Sequence, residues 1–247
     1  MLICEIGHNH LGDLAYVDEY VGALLEAAPD AVTFQYREPA RYHGEDARLR
    51  LPDATFSKAR LRFQERGIRF GVAIGEESKI GFFESIGVDF YKVLSKDLAN
   101  TSLITMVART QKPFSISTGL SDLGEIDRTV SWAKKKGFTF SLIHTTLTHR
   151  PDDVNLKAIP ALRERYGVPV AFGSHATNYH VLYAALGFEP SDIFFYVKGN
   201  RPGKHSDGDH SVPLAKLKEV IANLRELSVM IGSGTKFKTA NLIRKEG

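Results

Sequence analysis

The sequence is poor in cysteine and has no long apolar run. A lone cysteine, Cys4, cannot form an internal disulfide, and this cysteine usage is typical of a reducing compartment. No apolar run reaches membrane-spanning length, and the N-terminus lacks the basic region and cleavage site of a secretory signal. We therefore expect a cytoplasmic protein that does not enter a membrane.

The sequence also has no block of basic residues. Its net charge of +3 is spread along the chain, so the composition does not favour nucleic-acid binding. No Gly-x-Gly-x-x-Gly turn marks a dinucleotide site. What remains is a chain of 247 residues, 43% hydrophobic and 25% charged. This is the usual length of one (β/α)8 barrel and the usual composition of a globular protein.

Apolar segments typical of buried strands alternate along the chain with amphipathic segments typical of helices. The predicted strands are 2–6, 31–35, 69–73, 90–93, 114–117, 140–144, 169–173 and 193–197. The predicted helices are 16–27, 56–66, 76–86, 102–110, 125–136, 156–166, 179–186 and 214–227, several of them ending in glycine. Eight strand–helix units in series predict a parallel sheet that closes into a single-domain α/β TIM barrel. A doubly wound open sheet is the alternative, but no switch point is evident.

Polar side chains follow most of the predicted strands, where the barrel would have its mouth, the open end that holds active sites. Glu5 lies inside an apolar strand, where an unpaired carboxylate costs several kcal/mol. We expect it to bind a ligand, or else to pair with a basic residue of the core. The long connections 38–55 and 198–212 are typical of binding loops. The other polar residues expected at the mouth are Asn9, His10, Thr33, Gln35, Arg37, Lys92, Ser95, Lys96, Asp97, Ser117, Thr118, His144, Thr145, Thr146, Thr148, Ser174, His175, Thr177, Lys198, Asn200, Arg201 and the loop 206–210. Such lysines, hydroxyls and histidines favour an anionic or hydroxylated small molecule.

The first strand and its turn carry a resemblance to a known family. Residues 5–12, Glu-Ile-Gly-His-Asn-His-Leu-Gly, resemble the opening Glu-Ile-Gly-x-Asn-His-x-Gly of the sialic acid synthases. Shorter similarities follow in the family's order at Ala-Val-Thr-Phe-Gln (31–35), Lys-Val-Leu-Ser-Lys-Asp-Leu (92–98), Ser-Thr-Gly (117–119), Ser-His-Ala-Thr (174–177) and Gly-Asp-His (208–210).

The resemblance implies a barrel that condenses phosphoenolpyruvate with an N-acylated amino sugar to give a 2-keto-3-deoxy sugar acid. It also implies a homodimer and a divalent metal, typically manganese, that activates the sugar aldehyde. By resemblance, Lys92, Ser95 and Ser117 contact phosphoenolpyruvate, and His175 is a metal ligand. Glu5, Asp97 and Asp209 are the implied catalytic carboxylates, and Gln35 joins them in positioning the sugar and an attacking water. From their place at the predicted mouth, we expect Asn9, His10, Thr118 and Lys198 to be further substrate contacts.

The sequence departs from the family pattern at important positions. Thr33 replaces a lysine of the second strand, and Lys198 stands where the second metal histidine is expected. A cation in place of a ligand opposes a dication, which argues against a complete metal site. Residues 231–247 resemble the segment that leads out of the barrel to the family's antifreeze-like domain, and that domain is not part of this sequence.

Three hypotheses about function follow. The first is a divergent phosphoenolpyruvate-dependent synthase. The second is a different lyase or aldolase that uses Lys92, Lys96 or Lys198 as an anchor or Schiff-base nucleophile. The third is a non-catalytic homologue that binds a sugar or a partner. Borohydride trapping separates the second from the first, and metal analysis separates the first from the third.

Overall fold

Eight parallel strands form a closed barrel. A computed structural model describes residues 1–235, and every element below lies within that range. The sheet order follows the chain, and pairing of the first strand with the eighth closes the circle. The strands are β1 (Leu2–Gly7), β2 (Ala31–Tyr36), β3 (Arg69–Ile74), β4 (Phe90–Val93), β5 (Phe114–Ser117), β6 (Ser141–His144), β7 (Val170–Ser174), β8 (Ile193–Lys198) and a short β9 (Val212–Pro213) beside β8. The predicted TIM barrel is confirmed.

Helices connect the strands around the outside of the barrel. They are α1 (Leu14–Ala27), α2 (Asp53–Gln64), α3 (Ile80–Ser85), α4 (Thr101–Arg109), α5 (Leu123–Lys135), α6 (Ala158–Tyr166), α7 (Val181–Leu186) and α8 (Leu214–Ile231). Asp13 caps α1 by accepting the Tyr16 N–H at 2.9 Å. A capping box between Asp122 and Glu125 begins α5.

Three predicted helices are shorter than expected, and one of them, α6, begins at Ala158 rather than at residue 156. The segment predicted as helix 76–86 begins with a 3₁₀ turn, Glu77–Lys79, whose i→i+3 bonding precedes α3. Similarly, α7 begins at Val181 rather than at residue 179. The two long connections also carry 3₁₀ turns, at Pro39–Arg41, Gly44–Leu49 and Gly208–His210.

Apolar side chains pack both outside and inside the barrel wall. The larger cluster lies between strands and helices and includes Cys4, Phe34 and Leu142. A small separate cluster consists of Ile3, Ala31, Phe90, Ile143, Ala171 and Phe194. Because side chains alternate along a strand, Glu5 and Lys92 point to the same side as Ile3 and Phe90. Glu5 and Lys92 each lie two residues nearer the mouth. The polar site therefore lies on an apolar interior layer.

The described part of the chain contains no membrane-spanning helix. None of its helices is both long and apolar enough to cross a bilayer. The predicted C-terminal extension, 231–247, lies outside the described residues from position 236 onward.

Candidate active site

A cavity of about 460 Å³ opens at the carboxyl ends of the strands. Predicted site residues that line it are Gln35, Lys92, Ser95, Ser117 and His175, and Glu5 lies against Lys92. Arg37 and Lys96, which were expected at the mouth, also line it. The other polar lining residues are His8, Arg41, Tyr196, Ser206 and Asp207, and Leu94, Leu120 and Leu147 complete the wall. The cavity therefore gathers residues from most strands at the usual position of a barrel active site.

A buried ion pair lies at the base of the cavity. Lys92 Nζ donates to both carboxylate oxygens of Glu5, at 2.6 and 2.8 Å. The two side chains are only 6% and 4% exposed. Thr33 Oγ1 donates to the same carboxylate at 3.3 Å, and the ammonium lies 5.2 Å from the centre of the Phe194 ring. Glu5 therefore makes the core pair that the sequence left open as its alternative, while Lys92 still lines the cavity.

Two serine hydroxyls, one in the turn after β4 and one at the end of β5, line the same cavity. The Oγ atoms of Ser95 and Ser117 are 2.7 Å apart. The Gly119 N–H donates to Ser95 Oγ at 3.2 Å. Hydroxyl groups next to a lysine ammonium can hold the oxygens of a phosphate or carboxylate. This part of the cavity is therefore suited to an anion.

Further cations at the rim are held by carboxylates. Arg37 donates to both oxygens of Glu38, at 3.1 and 3.3 Å. Lys96 lies 3.1 Å from Glu38 and 2.9 Å from Asp97. Burial acts to raise the pKa of Glu38, but hydrogen bonds from Arg37 and Lys96 lower it to about 2. The rim therefore presents positive groups in fixed positions.

His175 lies among other imidazoles. Its ring centre is 4.7 Å from that of His210, which lies 4.9 Å from that of His149. Nδ1 of His175 is 2.9 Å from Thr145 Oγ1. Burial, followed by the charges of His210 and Lys92, lowers the pKa of His175 to about 3. The imidazole is therefore neutral at pH 7.

Burial has the same effect on three further histidines. It lowers the pKa of His8 and His210 to about 4 and the pKa of His10 to about 3. Neither ring nitrogen of His210 has a hydrogen-bond partner among the described residues. These imidazoles are therefore uncharged in the folded protein at neutral pH.

The donors near His175 do not fit a tightly held metal ion. Within residues 1–235, no three His, Cys, Asp or Glu side chains converge as ligands. Lys198, at the position of the second expected metal histidine, ends β8 beside Pro213 of β9. One imidazole, supplemented only by water and carboxylate oxygens, is a weak site for a divalent metal ion. The described residues therefore fit poorly the two-histidine metal site that the resemblance implies.

Three residues of the predicted site satisfy backbone groups instead of lining the cavity. Asn9 Nδ2 donates to the Val197 carbonyl at 2.9 Å, and His10 Nδ1 accepts the Gly12 N–H at 3.0 Å. Thr118 Oγ1 donates to the Ile143 carbonyl at 3.0 Å. Since buried backbone groups need partners, these side chains stabilise the turns around the mouth.

The remaining three predicted residues also lie outside the cavity wall. Asp97 accepts a hydrogen bond from Lys96 at 2.9 Å. Lys198 approaches Gly208, where an added Cβ would lie 3.2 Å from Nζ. Asp209 is exposed, because the turn at Gly208–His210 directs Asp207, not Asp209, to the cavity.

Comparison with known proteins identifies the family. The NeuB family profile matches residues 23–236. The N,N'-diacetyllegionaminic acid synthase of Legionella pneumophila is 29% identical, over 97% of this chain and 75% of its own. The human N-acetylneuraminate-9-phosphate synthase is 24% identical, over 95% and 72% of the two chains. A sialic acid synthetase from Leptospira borgpetersenii, solved with citrate, has the same fold, with a TM-score of 0.88 at 23% identity over 97% of this chain and 87% of that chain. The resemblance to the sialic acid synthases is thus confirmed, and the chain belongs to the NeuB family.

Proposed function

We propose that this protein condenses phosphoenolpyruvate with an N-acylated amino sugar or a related aldose, giving a 2-keto-3-deoxy sugar acid and phosphate. The names of its relatives support a sugar-acid synthase. The observation that carries the proposal is the group of anion donors on one cavity wall, Lys92, Ser95 and Ser117. These are the residues that the resemblance assigns to phosphoenolpyruvate.

The charges of the cavity match this substrate but suggest weak binding. Phosphoenolpyruvate brings a phosphate and a carboxylate, which need charge-assisted donors in place of water. Lys92, Arg37 and Lys96 offer charged donors, but each is already paired with a carboxylate, and Thr33 replaces one family lysine and contacts Glu5 instead. Each lost charged hydrogen bond is worth about 1.5–3 kcal/mol. We therefore expect weak phosphoenolpyruvate binding and little or no N-acetylneuraminate from N-acetylmannosamine.

The aldolase hypothesis is less well supported. A Schiff-base lysine needs a neutral amine, whereas Lys92 donates to both oxygens of Glu5. Lys96 is likewise paired with two carboxylates, and Lys198 lies outside the cavity wall. Borohydride reduction in the presence of a ketone substrate should therefore leave no covalent adduct.

Calorimetric titration with phosphoenolpyruvate tests the anion site. Ser117→Ala should weaken binding by about tenfold or more, since it removes one donor to a charged group. Ser115→Ala is a matched control. Ser115 lies two residues before Ser117 on β5 and points to the same side of the strand, but its Oγ pairs with Ser141 Oγ at 2.7 Å and lies outside the cavity wall. Equal affinities of the two variants would contradict the assignment of this wall to phosphoenolpyruvate.

Release of phosphate tests the chemistry. Phosphate should appear from phosphoenolpyruvate only when an aldose acceptor is added. Saturable binding without any phosphate release, across a panel of amino sugars and aldoses, would favour the non-catalytic hypothesis. The homodimer implied by the family resemblance stays a prediction, which sedimentation velocity can test separately.

A further inference from the structure

Asp207 is a cavity carboxylate to which the family resemblance gives no role. It lies in the loop between β8 and the Gly208–His210 turn, and its side chain is 20% exposed. It lines the cavity, whereas Asp209, the carboxylate chosen by resemblance, is exposed at the surface. The position of Asp207 therefore needs its own explanation.

The turn after β1 leaves room for this carboxylate. Gly7 has a φ of +56°, and a Cβ at this position would lie 2.5 Å from Asp207 Oδ2. The same Cβ would lie 2.8 Å from the Tyr196 ring. Such contacts are too close for any side chain, so only glycine permits Asp207 to approach β1. The backbone N–H of His8 also interacts with the carboxylate.

Hydrogen bonds also fix the backbone of Asp207. Its N–H donates to Asn9 Oδ1 at 3.0 Å, and the Ser211 hydroxyl donates to its carbonyl. Asn9 Nδ2 in turn donates to Val197 O at 2.9 Å and to Ser211 Oγ at 3.1 Å. The buried Asn9 thus joins the turn after β1 to the loop after β8. Side chains positioned in this way are typical of functional groups rather than of solvated loops.

Charged groups face Asp207 from the barrel. Glu5 and Lys92 act on it from the interior, and Arg37 acts from the end of β2. Burial raises the pKa of Asp207 to about 6, with the repulsion from Glu5 adding to the effect and the His8 N–H opposing it. A carboxyl group that titrates near neutral pH can both give and take a proton.

Two further groups border the carboxylate from β8 and from its own loop. The Tyr196 ring packs against the same turn, and burial raises the pKa of its phenol far above its usual value. His210 Nε2 lies 3.9 Å from Asp207 Oδ1, beyond hydrogen-bond distance, and burial keeps that imidazole neutral at pH 7. Neither group supplies a charge that would keep Asp207 permanently ionised.

We propose that Asp207 is the general acid and general base of the condensation, an inference that rests on the proposed function. As C3 of phosphoenolpyruvate attacks the aldehyde carbon, the Asp207 carboxyl gives its proton to the aldehyde oxygen, which becomes a hydroxyl. Water then adds to C2, and the Asp207 carboxylate takes one proton from that water. The resulting hemiketal phosphate loses phosphate together with its hydroxyl proton, and the 2-keto group remains.

Kinetics of Asp207→Asn test this assignment. The change keeps the size of the side chain but removes the proton, so kcat should fall by about 100-fold or more while KM for phosphoenolpyruvate changes little. In the wild type, kcat should change with pH with a midpoint near pH 6. This pH dependence should be absent from the variant. Asp152→Asn, at an exposed site outside the cavity wall, is the matched control and should behave as wild type. If Asp207→Asn unfolds early on heating, Asp207→Ser repeats the test.

A second readout does not depend on turnover. The infrared carboxylate signal of wild type minus Asp207→Asn should titrate near pH 6, and a midpoint near pH 4 would refute the inference. If the wild type is active and Asp207→Asn has the same rate and pH profile, the inference is refuted too, while the proposed function stays intact. Absence of product from the wild type with every acceptor would overturn the proposed function, and the inference with it.

Discussion

Replacing Glu5 with glutamine removes the carboxylate that accepts both hydrogen bonds from Lys92. Because Lys92 is only 5% exposed, its charge would remain in the barrel without a counter-ion. Breaking a buried ion pair by removing one partner costs about 3–5 kcal/mol. In a chain of this length, 1 kcal/mol shifts the Tm by about 2–4 °C. We therefore expect Glu5→Gln to melt about 6–20 °C below the wild type, a larger effect than a pure ligand-binding residue would show.

A double-mutant cycle measures the pair directly. Urea denaturation of Glu5→Gln, Lys92→Met and the double variant gives the coupling energy, which should be about 3 kcal/mol because the double variant buries no unpaired charge. Thr33→Val is the matched control, since it removes only the 3.3 Å hydrogen bond to Glu5 and should cost about 1 kcal/mol or less. A Glu5→Gln variant as stable as the wild type would refute this reasoning and leave Glu5 with a role in ligand binding alone.

Three further predictions concern metal, anion binding and pH. Purified protein should carry substoichiometric manganese or zinc, whereas stoichiometric metal that His175→Ala abolishes would contradict the poor fit of the donors. Lys96→Ala should weaken phosphoenolpyruvate binding by about tenfold or more. Lys198→Ala and the surface control Lys218→Ala should leave it unchanged. Equal losses of affinity in Lys96→Ala and Lys198→Ala would place the anion nearer β8. Four histidines have folded pKa values of about 3 or 4, below the unfolded value of about 6.5. The part of the unfolding free energy that depends on their neutral form is fully present above about pH 6.5. It is lost as the pH falls toward 4, by up to about 1.4 kcal/mol per pH unit for each histidine. Urea midpoints that stay level from pH 7 to 4 would count against the burial of these histidines.

The barrel could be predicted because its signals are local and repeated. Every predicted strand agrees with the structure to within one residue at each end. Predicted helix-ending glycines, at positions 67, 87, 137 and 167, all have positive φ. The helix between residues 76 and 86 was less predictable, because an amphipathic pattern does not distinguish an α-helical turn from a 3₁₀ turn. Pattern therefore locates the elements better than it defines their ends.

The candidate site was predictable where strands carry it. Lys92 and Ser117 lie on strands, and the period of two decides which side chains point into the barrel. No such rule operates in the loop after β8, where Asp207 and Asp209 are equally plausible and a turn at Gly208 decides between them. The direction of Asn9 could not be predicted for a similar reason, because it follows the left-handed Gly7 and its side chain contacts Ser211 rather than the cavity wall.

Mass spectrometry of the reaction products tests the central claim most directly. Incubation with phosphoenolpyruvate and a panel of N-acylated amino sugars should yield one acceptor extended by three carbons as a 2-keto-3-deoxy acid, with one phosphate released per product. Ser117→Ala should reduce this yield and Ser115→Ala should not, because only Ser117 lines the cavity. Phosphoenolpyruvate that remains intact with every acceptor, or that yields pyruvate and phosphate without a sugar adduct, would contradict the claim that this cavity forms a carbon–carbon bond.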